Sequence, residues 1–327
     1  MKFSIYMNNW LYGENGYYKR FKEIGKAGDF YTAVSTSSFF GASIANHFYK
    51  LIQKDSFKRN GWLIEIGAHQ GYLLCDIIQW LYTLEPNLVK TLKFGIVERQ
   101  KEVQKVQLEY IANRFGSDIE ITHFNNIDEV KVDYAFFVSN EIFDAFACEL
   151  IKDGQQAFVQ NHQIEWREAD KDLLEFASKH RQIKGEVAVG YEEFAKSMSG
   201  VKSCDFISFD YGERLVRNDF SIRVYQKHKT YPLFDEELKL EEVYQKADIT
   251  YDVNFGHLID AFSEAGFRLE SYETQARALI RFGIIDILEM FSKQTTEANY
   301  LREADKIKTL IAPTIMGDKF KMVHFVK

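Results

Sequence analysis

Glycine and glutamate residues at the ends of two predicted strands are typical of a ligand-binding sheet edge. The buried segment 62–66 runs into a stretch containing Gly67 and Gly71, where a missing Cβ lets the backbone come close to a ligand. One βα unit later, the next strand ends at Glu98, where an acid commonly accepts hydrogen bonds from ribose hydroxyls. Each feature alone has a structural alternative, since glycines also turn a strand into a helix and strand-end acids are often simply solvated.

The spacing of the glycines argues against a dinucleotide. The fingerprint G-x-G-x-x-G would require glycine at the positions that carry His69 and Tyr72. An NAD or FAD site, and with it an NAD-dependent oxidoreductase, is therefore disfavoured. The eight histidines show neither H-x-x-x-H nor H-E-x-x-H spacing, so the sequence predicts no metal site.

A second polar group, Asn140, Glu141 and Asp144, follows the fourth predicted strand at the same edge of the sheet. A turn could present both carboxylates inward to grip an acceptor molecule, and Asn140 would add a neutral donor and acceptor. The alternative is that these residues cap the start of a helix, as Asn and Asp commonly do. The residue types alone leave both interpretations open.

The composition favours a folded protein of a reducing compartment. Of 327 residues, 46% are hydrophobic, enough for one large core or two modest ones. The net charge of -7 offers no basic surplus for phosphates, so no nucleic-acid partner is predicted. Cys75, Cys148 and Cys204 lie far apart and indicate neither a disulfide framework nor a zinc knuckle. No signal-peptide h-region or bilayer-length apolar run is found, and the expected location is the cytoplasm.

Short apolar segments alternate with longer amphipathic ones, as expected of βα units around a mostly parallel sheet. The seven predicted strands are 62–66, 94–97, 119–124, 134–139, 206–209, 268–272 and 320–326. Helical patterns cover 72–84, 100–114 and 253–265, the last ended by Gly266 as a C-cap. The sequence therefore predicts an α/β fold with a seven-stranded sheet and helices on both faces.

Two segments interrupt this alternation. Residues 148–200 are predicted as an insertion that opens with a hairpin over 148–169, turning at Asp153-Gly154. Residues 275–310 are predicted as a helical insertion before the last strand. Because no repeat, low-complexity tract or Pro/Gly-rich linker is found, we expect a single domain over residues 1–327.

Longer blocks of the sequence carry a family resemblance. They are Gly28-Asp29-Phe30-Tyr31-Thr32-Ala33, Ser38-Phe39-Phe40-Gly41, Glu65-x-Gly67-x-x-x-Gly71 with Asp76, Asn140-Glu141-Ile142-Phe143-Asp144-Ala145, Asp210-Tyr211-Gly212, Arg223-x-Tyr225-x-x-His228, Asp248-Ile249-Thr250 and Met316-Gly317. With these blocks in this order, nearly the whole chain resembles the MidA family of S-adenosylmethionine-dependent methyltransferases, whose mitochondrial relatives help to assemble respiratory complex I.

This resemblance implies a Rossmann-like class I methyltransferase fold, S-adenosylmethionine as the cofactor and an arginine of a partner protein, such as a complex I subunit, as the acceptor. It also makes residues 1–58 a helical lid region over the cofactor. The cofactor-binding residues expected from the residue types and the resemblance are Gly28, Asp29, Thr32, Glu65, Gly67, Gly71, Glu98 and Asn125. The expected catalytic residues are Asn140, Glu141 and Asp144, and the expected substrate-binding residues are Asp210, Tyr211, Tyr225 and His228.

The chain departs from the family pattern at four positions. His69 replaces the middle glycine of the cofactor loop, Val34 and Ala147 replace prolines, and Asn254 stands where the family usually has an acid. His69, Val34 and Ala147 keep open an alternative function, a non-catalytic assembly factor that binds a partner protein through a degenerate methyltransferase fold. The acidic and polar surface is compatible with a monomer or a dimer.

Overall fold

The computed structural model describes residues 1–19, 32–226 and 229–327. Gly28, Asp29 and His228, three of the predicted site residues, lie outside the described residues. The strands are β1 (Trp62–Ile66), β2 (Lys93–Val97), β3 (Ile121–Phe124), β4 (Tyr134–Asn140), β5 (Cys148–Lys152), β6 (Gln155–Gln160), β7 (Gln163–Glu168), β8 (Lys184–Ala188), β9 (Ser203–Glu213), β10 (Arg223–Gln226), β11 (Lys229–Pro232), β12 (Asp248–Thr250), β13 (Val253–Asn254), β14 (Arg268–Thr274) and β15 (Phe320–Val326). The helices are α1 (Phe3–Tyr12), α2 (Ala33–Thr36), α3 (Phe39–Gln53), α4 (Tyr72–Leu84), α5 (Pro86–Val89), α6 (Lys101–Phe115), α7 (Lys171–Lys179), α8 (Tyr191–Met198), α9 (Leu240–Val243), α10 (Phe255–Glu264), α11 (Gln275–Phe282), α12 (Ile284–Ser292) and α13 (Glu297–Ile311).

The chain forms two compact units, each built from stretches that the other interrupts. The sheet unit comprises Thr32–Asn140, Lys196–Asp210 and Gly266–Lys327. The insertion unit comprises Met1–Tyr31, Glu141–Ala195 and Tyr211–Ala265. A single domain over the whole chain and a lid role for residues 1–58 remain predictions.

The sheet unit contains the main sheet, whose strand order is β14-β15-β9-β4-β1-β2-β3. Strand β1 lies inside the sheet, and its partners β2 and β4 both run parallel to it, as is typical of a strand whose residues are buried on both faces. Strands β14 and β15 pair antiparallel. Cys204 and Lys327 exchange both of their backbone hydrogen bonds, the pattern of an antiparallel pair, so β15 runs against its other neighbour as well.

Helices α3 and α4 cover the sheet unit's core. Helix α4 buries Leu74, Ile77, Ile78 and Leu81, which recur at helical spacing along one face. Helix α3 contributes Phe48, which is fully buried in the same core. Each fully buried side chain of this size stabilises the fold by about 1.5–3 kcal/mol.

The helical segment before the last strand packs against α3 through polar as well as apolar contacts. Gly283, with a φ of 97°, ends α11 and starts α12, a conformation that favours glycine. The side-chain amide of Asn46 donates to the carbonyl of Phe282 at 2.5 Å. The amide of Gln275 donates to the carbonyl of Leu310 at 2.9 Å, which joins α11 to α13. The predicted helical insertion is therefore present as three helices.

The insertion unit contains two smaller sheets, with strand orders β7-β6-β5-β8 and β11-β10-β12. The predicted hairpin turn is confirmed, because Asp153 and Gly154 have φ values of 51° and 78°, the left-handed pair of a tight two-residue hairpin. A second such turn, at Asn161 and His162, has φ values of 49° and 58° and joins β6 to β7. The hairpin is thus part of a four-stranded sheet, in which β8 pairs with β5.

The predicted α/β Rossmann-like fold is confirmed, with bounds that shift at particular strands. Strands β1 and β15 and helix α4 have the predicted bounds. Strand β9 runs on to Glu213, well past the predicted end at Phe209. Residues 253–254, predicted as the start of a helix, form β13 and pair with the end of β9. Among the described residues, no helix is long and apolar enough to cross a membrane.

Candidate functional site

The residues 67–71, here called the glycine loop, have backbone angles that suit close contact with a ligand. Gly67, His69 and Gly71 have φ values of 71°, 46° and 82°, while the residues between them have negative φ. When the sign of φ alternates in this way, successive backbone N–H groups can point into the same concave site. A Cβ added at Gly71 would meet only side-chain atoms, the nearest at 3.9 Å, so the backbone there remains approachable.

The glycine loop lies level with the ends of two neighbouring strands. Ile66 pairs with Val97, and Val97 pairs with Phe124, so β1, β2 and β3 end side by side. One further hydrogen bond continues each pairing: Gly67 N–H donates to the Val97 carbonyl at 3.3 Å, and Glu98 N–H donates to the Phe124 carbonyl at 2.9 Å. The parallel sheet therefore places Gly67 beside Glu98 at its carboxyl edge, where ligands bind in open α/β sheets.

Glu98 and Asn125 are neighbours at this edge. A carboxylate oxygen of Glu98 accepts from the N–H of Gln100 at 2.8 Å, which fixes the side chain. Burial raises the pKa of the Glu98 carboxyl, and the amides that donate to it oppose the rise. The side-chain amide of Gln104 donates both to the Glu98 carbonyl and to Asn125 Oδ1, and Lys101 Nζ lies 3.0 Å from the same oxygen. The two predicted cofactor residues are thus brought together.

Glu65 is held within the protein by a partner in helix α4. It is buried, and its Oε2 accepts from the N–H of Leu74 at 2.9 Å. Burial raises the pKa of Glu65 to about 8. The side chain therefore links β1 to the first turn of α4, on either side of the glycine loop. Any effect of Glu65 on cofactor binding would therefore be indirect, through the shape of the glycine loop.

Thr32 begins helix α2 with a capping box. Its hydroxyl accepts from the N–H of Ser35 at 3.1 Å, and the Ser35 hydroxyl accepts from the N–H of Thr32 at 3.0 Å. Thr32 therefore has a structural role as the N-cap of α2. Its membership of a lid over the cofactor remains a prediction.

Asn140 ends β4 in the sheet unit, and Glu141 begins the insertion unit. Glu65 pairs with Val138, so Asn140, two residues on, is at the level of Gly67. Glu141 has a φ of 53°, a left-handed conformation that non-glycine residues adopt at the cost of strain. Such strain clusters at functional sites, and it changes the direction of the chain directly after the strand.

Asp144 lies in a turn that leads into β5, and no helix follows it. The helix-capping alternative for Asp144 is therefore wrong. Asp144 is buried, and the Tyr211 hydroxyl donates to its carboxylate. Burial raises the pKa of Asp144 to about 6, while the bond from Tyr211 and the charge of Arg223 oppose the rise. A buried carboxylate with these partners can bind a cation.

The sheet β11-β10-β12 supplies the polar surroundings of Asp144. Arg223 pairs with Thr250, and Tyr225 pairs with Asp248, across the ladder between β10 and β12. Because alternate residues of a strand share a face, all four side chains lie on the same face of this sheet. The Thr250 and Tyr211 hydroxyls are hydrogen-bonded to each other. We call Asp144, Tyr211, Arg223, Tyr225, Asp248 and Thr250 the acid–tyrosine cluster.

Asp210 directly precedes Tyr211 in β9. Because β9 extends to Glu213, Asp210 and Tyr211 lie inside the strand, whereas the sequence predicted them just beyond its end. Neighbouring residues of a strand point to opposite faces. Asp210 is fully buried and belongs to the sheet unit, and Tyr211 is half-buried and belongs to the insertion unit.

Arg223, Asp248 and Thr250 were not among the residues predicted for the site. All three lie in the family blocks, but their grouping depends on the pairing of β10 with β12. One pattern in the sequence could have indicated the grouping. Polar residues such as Arg223 and Tyr225 alternate with buried apolar residues such as Val224, as in a strand with one polar face. The described residues contain no group of three or more His, Cys, Asp or Glu side chains arranged to hold a metal ion.

Comparison with known proteins gives relatives that are similar in sequence. The chain is 22% identical over 277 residues to the Caenorhabditis elegans mitochondrial homologue of the protein arginine methyltransferase NDUFAF7, covering 74% of this chain and 63% of that protein. It is 21% identical over 340 residues to the Danio rerio NDUFAF7, covering 94% of this chain and 78% of that protein. This chain thus spans less than two thirds of the length of the nematode relative.

A solved structure shows the same fold. A Burkholderia thailandensis protein crystallised with S-adenosyl-homocysteine superposes with a TM-score of 0.83 and 21% identity, covering 100% of this chain and 88% of that one. Residues 43–273 match the Methyltransf_28 family, described as "Putative S-adenosyl-L-methionine-dependent methyltransferase". The glycine loop and Glu98, side by side at the carboxyl edge, fit the backbone and ribose contacts that such a cofactor needs. The chain therefore belongs to this family of S-adenosylmethionine-dependent methyltransferases, and S-adenosylmethionine is its cofactor.

Proposed function

We propose that this chain transfers a methyl group to an arginine side chain of a partner protein. Three observations support the proposal: the family match, the printed names of the relatives as protein arginine methyltransferases, and the acid–tyrosine cluster of the insertion unit. The cluster is the observation that carries it, because a buried carboxylate beside tyrosines suits a planar cation. As the family resemblance implies, the partner is a subunit of respiratory complex I.

The sheet unit binds the cofactor. The glycine loop would approach the amino-acid end of the cofactor, Glu98 would accept hydrogen bonds from the ribose hydroxyls, and Asn125 would contact the adenine amino group. Bound S-adenosylmethionine supplies a methyl group that its sulfonium makes electrophilic. The peptide bond between Asn140 and Glu141 joins the strand at this edge to the loop that carries the acidic side chains.

The insertion unit binds and orients the acceptor. Glu141 and Asp144 hold the guanidinium through paired hydrogen bonds, and a guanidinium is protonated in water. When the acceptor nitrogen gains a methyl group it gives up a proton, which one of these carboxylates can accept. A reaction of this kind depends mainly on holding the nucleophile in line with the methyl carbon. The three cysteines are buried and unpaired, which supports a reducing compartment such as the cytoplasm.

A non-catalytic assembly factor is the second candidate, and His69 is the observation that favours it. A non-glycine residue at a φ of 46° strains the loop that must approach the cofactor. A methyltransferase and a non-catalytic assembly factor could both bind the cofactor and a partner protein. They differ in whether a methyl group is transferred.

Methyl transfer into a lysate tests the proposal. The purified chain and labelled S-adenosylmethionine are incubated with lysate of cells that lack this chain, and protein hydrolysates are analysed for methylated amino acids. We expect label in methylarginine with the wild type and the control Asp153→Asn, and none with Asp144→Asn. Cofactor binding without any transfer would favour the assembly factor.

A further inference from the structure

Within the acid–tyrosine cluster, the guanidinium of Arg223 lies over the ring of Tyr211. Its carbon is 5.1 Å from the centre of the Tyr211 ring, within the range of a cation–π contact. Tyr211 in turn donates to Asp144, and the positive charge of Arg223 opposes the rise in the pKa of Asp144 that burial causes. Since a phenol has one proton, a Tyr211 that donates to Asp144 accepts from the hydroxyl of Thr250. Arg223 is therefore placed to influence the charge of Asp144.

Arg223 is itself held by a carboxylate. Its Nη2 donates to Asp252 Oδ1, and both side chains are about two-thirds shielded, with exposed fractions of 30% and 27%. The same carboxylate lies 3.8 Å from Arg217, whose side chain is 74% exposed. The two arginines therefore differ in burial while sharing one partner.

A buried glutamate fixes this arrangement from the other sheet of the insertion unit. Glu186, on β8, is 8% exposed. Its carboxylate accepts from the N–H groups of Ser221 and Ile222 at 2.9 Å each and from the Ser221 hydroxyl at 3.0 Å. The Ser221 oxygen then accepts from the N–H of Asp252 at 2.9 Å. One carboxylate thus anchors the chain directly before Arg223 and, through Ser221, the partner of Arg223.

We propose that Arg223 is a positioning residue for methyl transfer, which keeps the Asp144 carboxylate ionised and aligned for a cationic acceptor, and that Glu186 holds Arg223 in place. This inference rests on the proposed function, because it assigns Asp144 to the acceptor. The groups that interact electrostatically with Asp144 in the described part of the insertion unit include Tyr18, Tyr211, Arg223, Tyr225 and Tyr251, and Arg223 is the cation among them.

The test is a titration of the Asp144 carboxyl by carbon NMR in the full chain, assigned with Asp144→Asn. Loss of the opposite charge in Arg223→Met should raise the midpoint by about one pH unit. Arg223→Lys, which keeps the charge, should restore most of the wild-type midpoint. Arg217→Met is the matched control and should leave it unchanged. An unchanged midpoint in a folded Arg223→Met protein, or an equal rise in Arg217→Met, overturns the proposal.

Kinetics separate this inference from the proposed function. The acidic limb of the pH profile for methyl transfer should move to higher pH in Arg223→Met, while the Kd for S-adenosylmethionine stays the same. Glu186→Gln should lower kcat roughly tenfold, the effect of weakening one charged hydrogen bond. If the wild type transfers no methyl group, the proposed function fails. The NMR titration then still decides whether Arg223 sets the charge of Asp144. Thermal melting by circular dichroism checks that each variant is folded. If Arg223→Met does not fold, the titration is compared between Arg223→Lys and the wild type.

Discussion

The side-chain amide of Gln107 donates a hydrogen bond to the main-chain carbonyl of His69, with 2.8 Å between nitrogen and oxygen. Gln107 is fully buried, and its carbonyl oxygen lies 2.8 Å from Nε2 of His123, so that nitrogen carries the proton. The glycine loop is thus fixed at its middle residue by α6 and, through α6, by β3. The contact involves the backbone of residue 69, so it is independent of the side chain there.

Gln107→Leu should loosen the glycine loop. The substitution keeps the apolar bulk but removes both hydrogen bonds, and we expect a loss of about 1–3 kcal/mol in the free energy of unfolding. Chemical denaturation measures this loss, and calorimetry should show weaker binding of S-adenosylmethionine. Gln79→Leu, at an exposed position of α4, is the control. Wild-type affinity in Gln107→Leu would show that the loop keeps its shape without this contact.

His69→Gly should leave the cofactor affinity unchanged or increase it. Glycine adopts the φ of 46° without strain, and it keeps the carbonyl that Gln107 binds. The free energy of unfolding should rise by up to about 1 kcal/mol, since a left-handed conformation is costly for other residues. Calorimetric titration with S-adenosylmethionine gives the sign. A large loss of affinity would mean that the imidazole contacts the cofactor or fixes the loop.

Glu98→Ala should weaken S-adenosylmethionine binding by about 1.5–3 kcal/mol, because it removes hydrogen bonds from the ribose to a charged group. The variant should remain folded, since Glu98 is only half-buried and its contacts are local. Glu102→Ala, at an exposed position of the following helix, should bind like the wild type. Equal affinities for Glu98→Ala and the wild type would remove Glu98 from the cofactor site.

Glu65→Gln should make the protein more stable at pH 8. The pKa of Glu65 is raised from 4.5 to about 8 in the folded state, so the folded chain keeps a proton that the unfolded chain has lost. Its contribution to stability is therefore present below pH 4.5 and is lost as the pH rises towards 8. An amide has no charge to bury and can still accept from Leu74, and the gain should be on the order of 2–4 kcal/mol. Melting curves of both proteins from pH 4.5 to 8 should diverge with rising pH; parallel curves would contradict this account of Glu65.

The local pattern of the sequence predicted the cofactor edge better than the acceptor side. Strand β1, helix α4 and the loop between them are specified by one apolar run, two glycines and helical spacing, all within some 20 residues. Parallel pairing then places Glu98 beside Gly67 without further information. The contacts of Asp144 were not predictable in this way, because they join residues far apart in the chain, such as Tyr211 and Arg223. The end of β9 was misplaced because pairing with Val253 extends the strand past its apolar segment.

Glu141→Gln and Asp144→Asn should each abolish methyl transfer while leaving S-adenosylmethionine binding intact. Both changes remove a charge with little change of shape, and a cationic acceptor then loses its partner. Rates of labelled-methyl transfer and calorimetry with the cofactor are measured on the same preparations. Asp153→Asn, in the exposed hairpin turn, should behave like the wild type. Full activity in Asp144→Asn would place the acceptor elsewhere.

The most direct test of arginine methylation is to isolate the protein that co-purifies with this chain, incubate it with the chain and labelled S-adenosylmethionine, and map the modified residue by mass spectrometry. We predict that the label is found on an arginine of that partner and that Asp144→Asn eliminates it. Label on a lysine or on a small metabolite, or no label despite cofactor binding, would contradict the assignment.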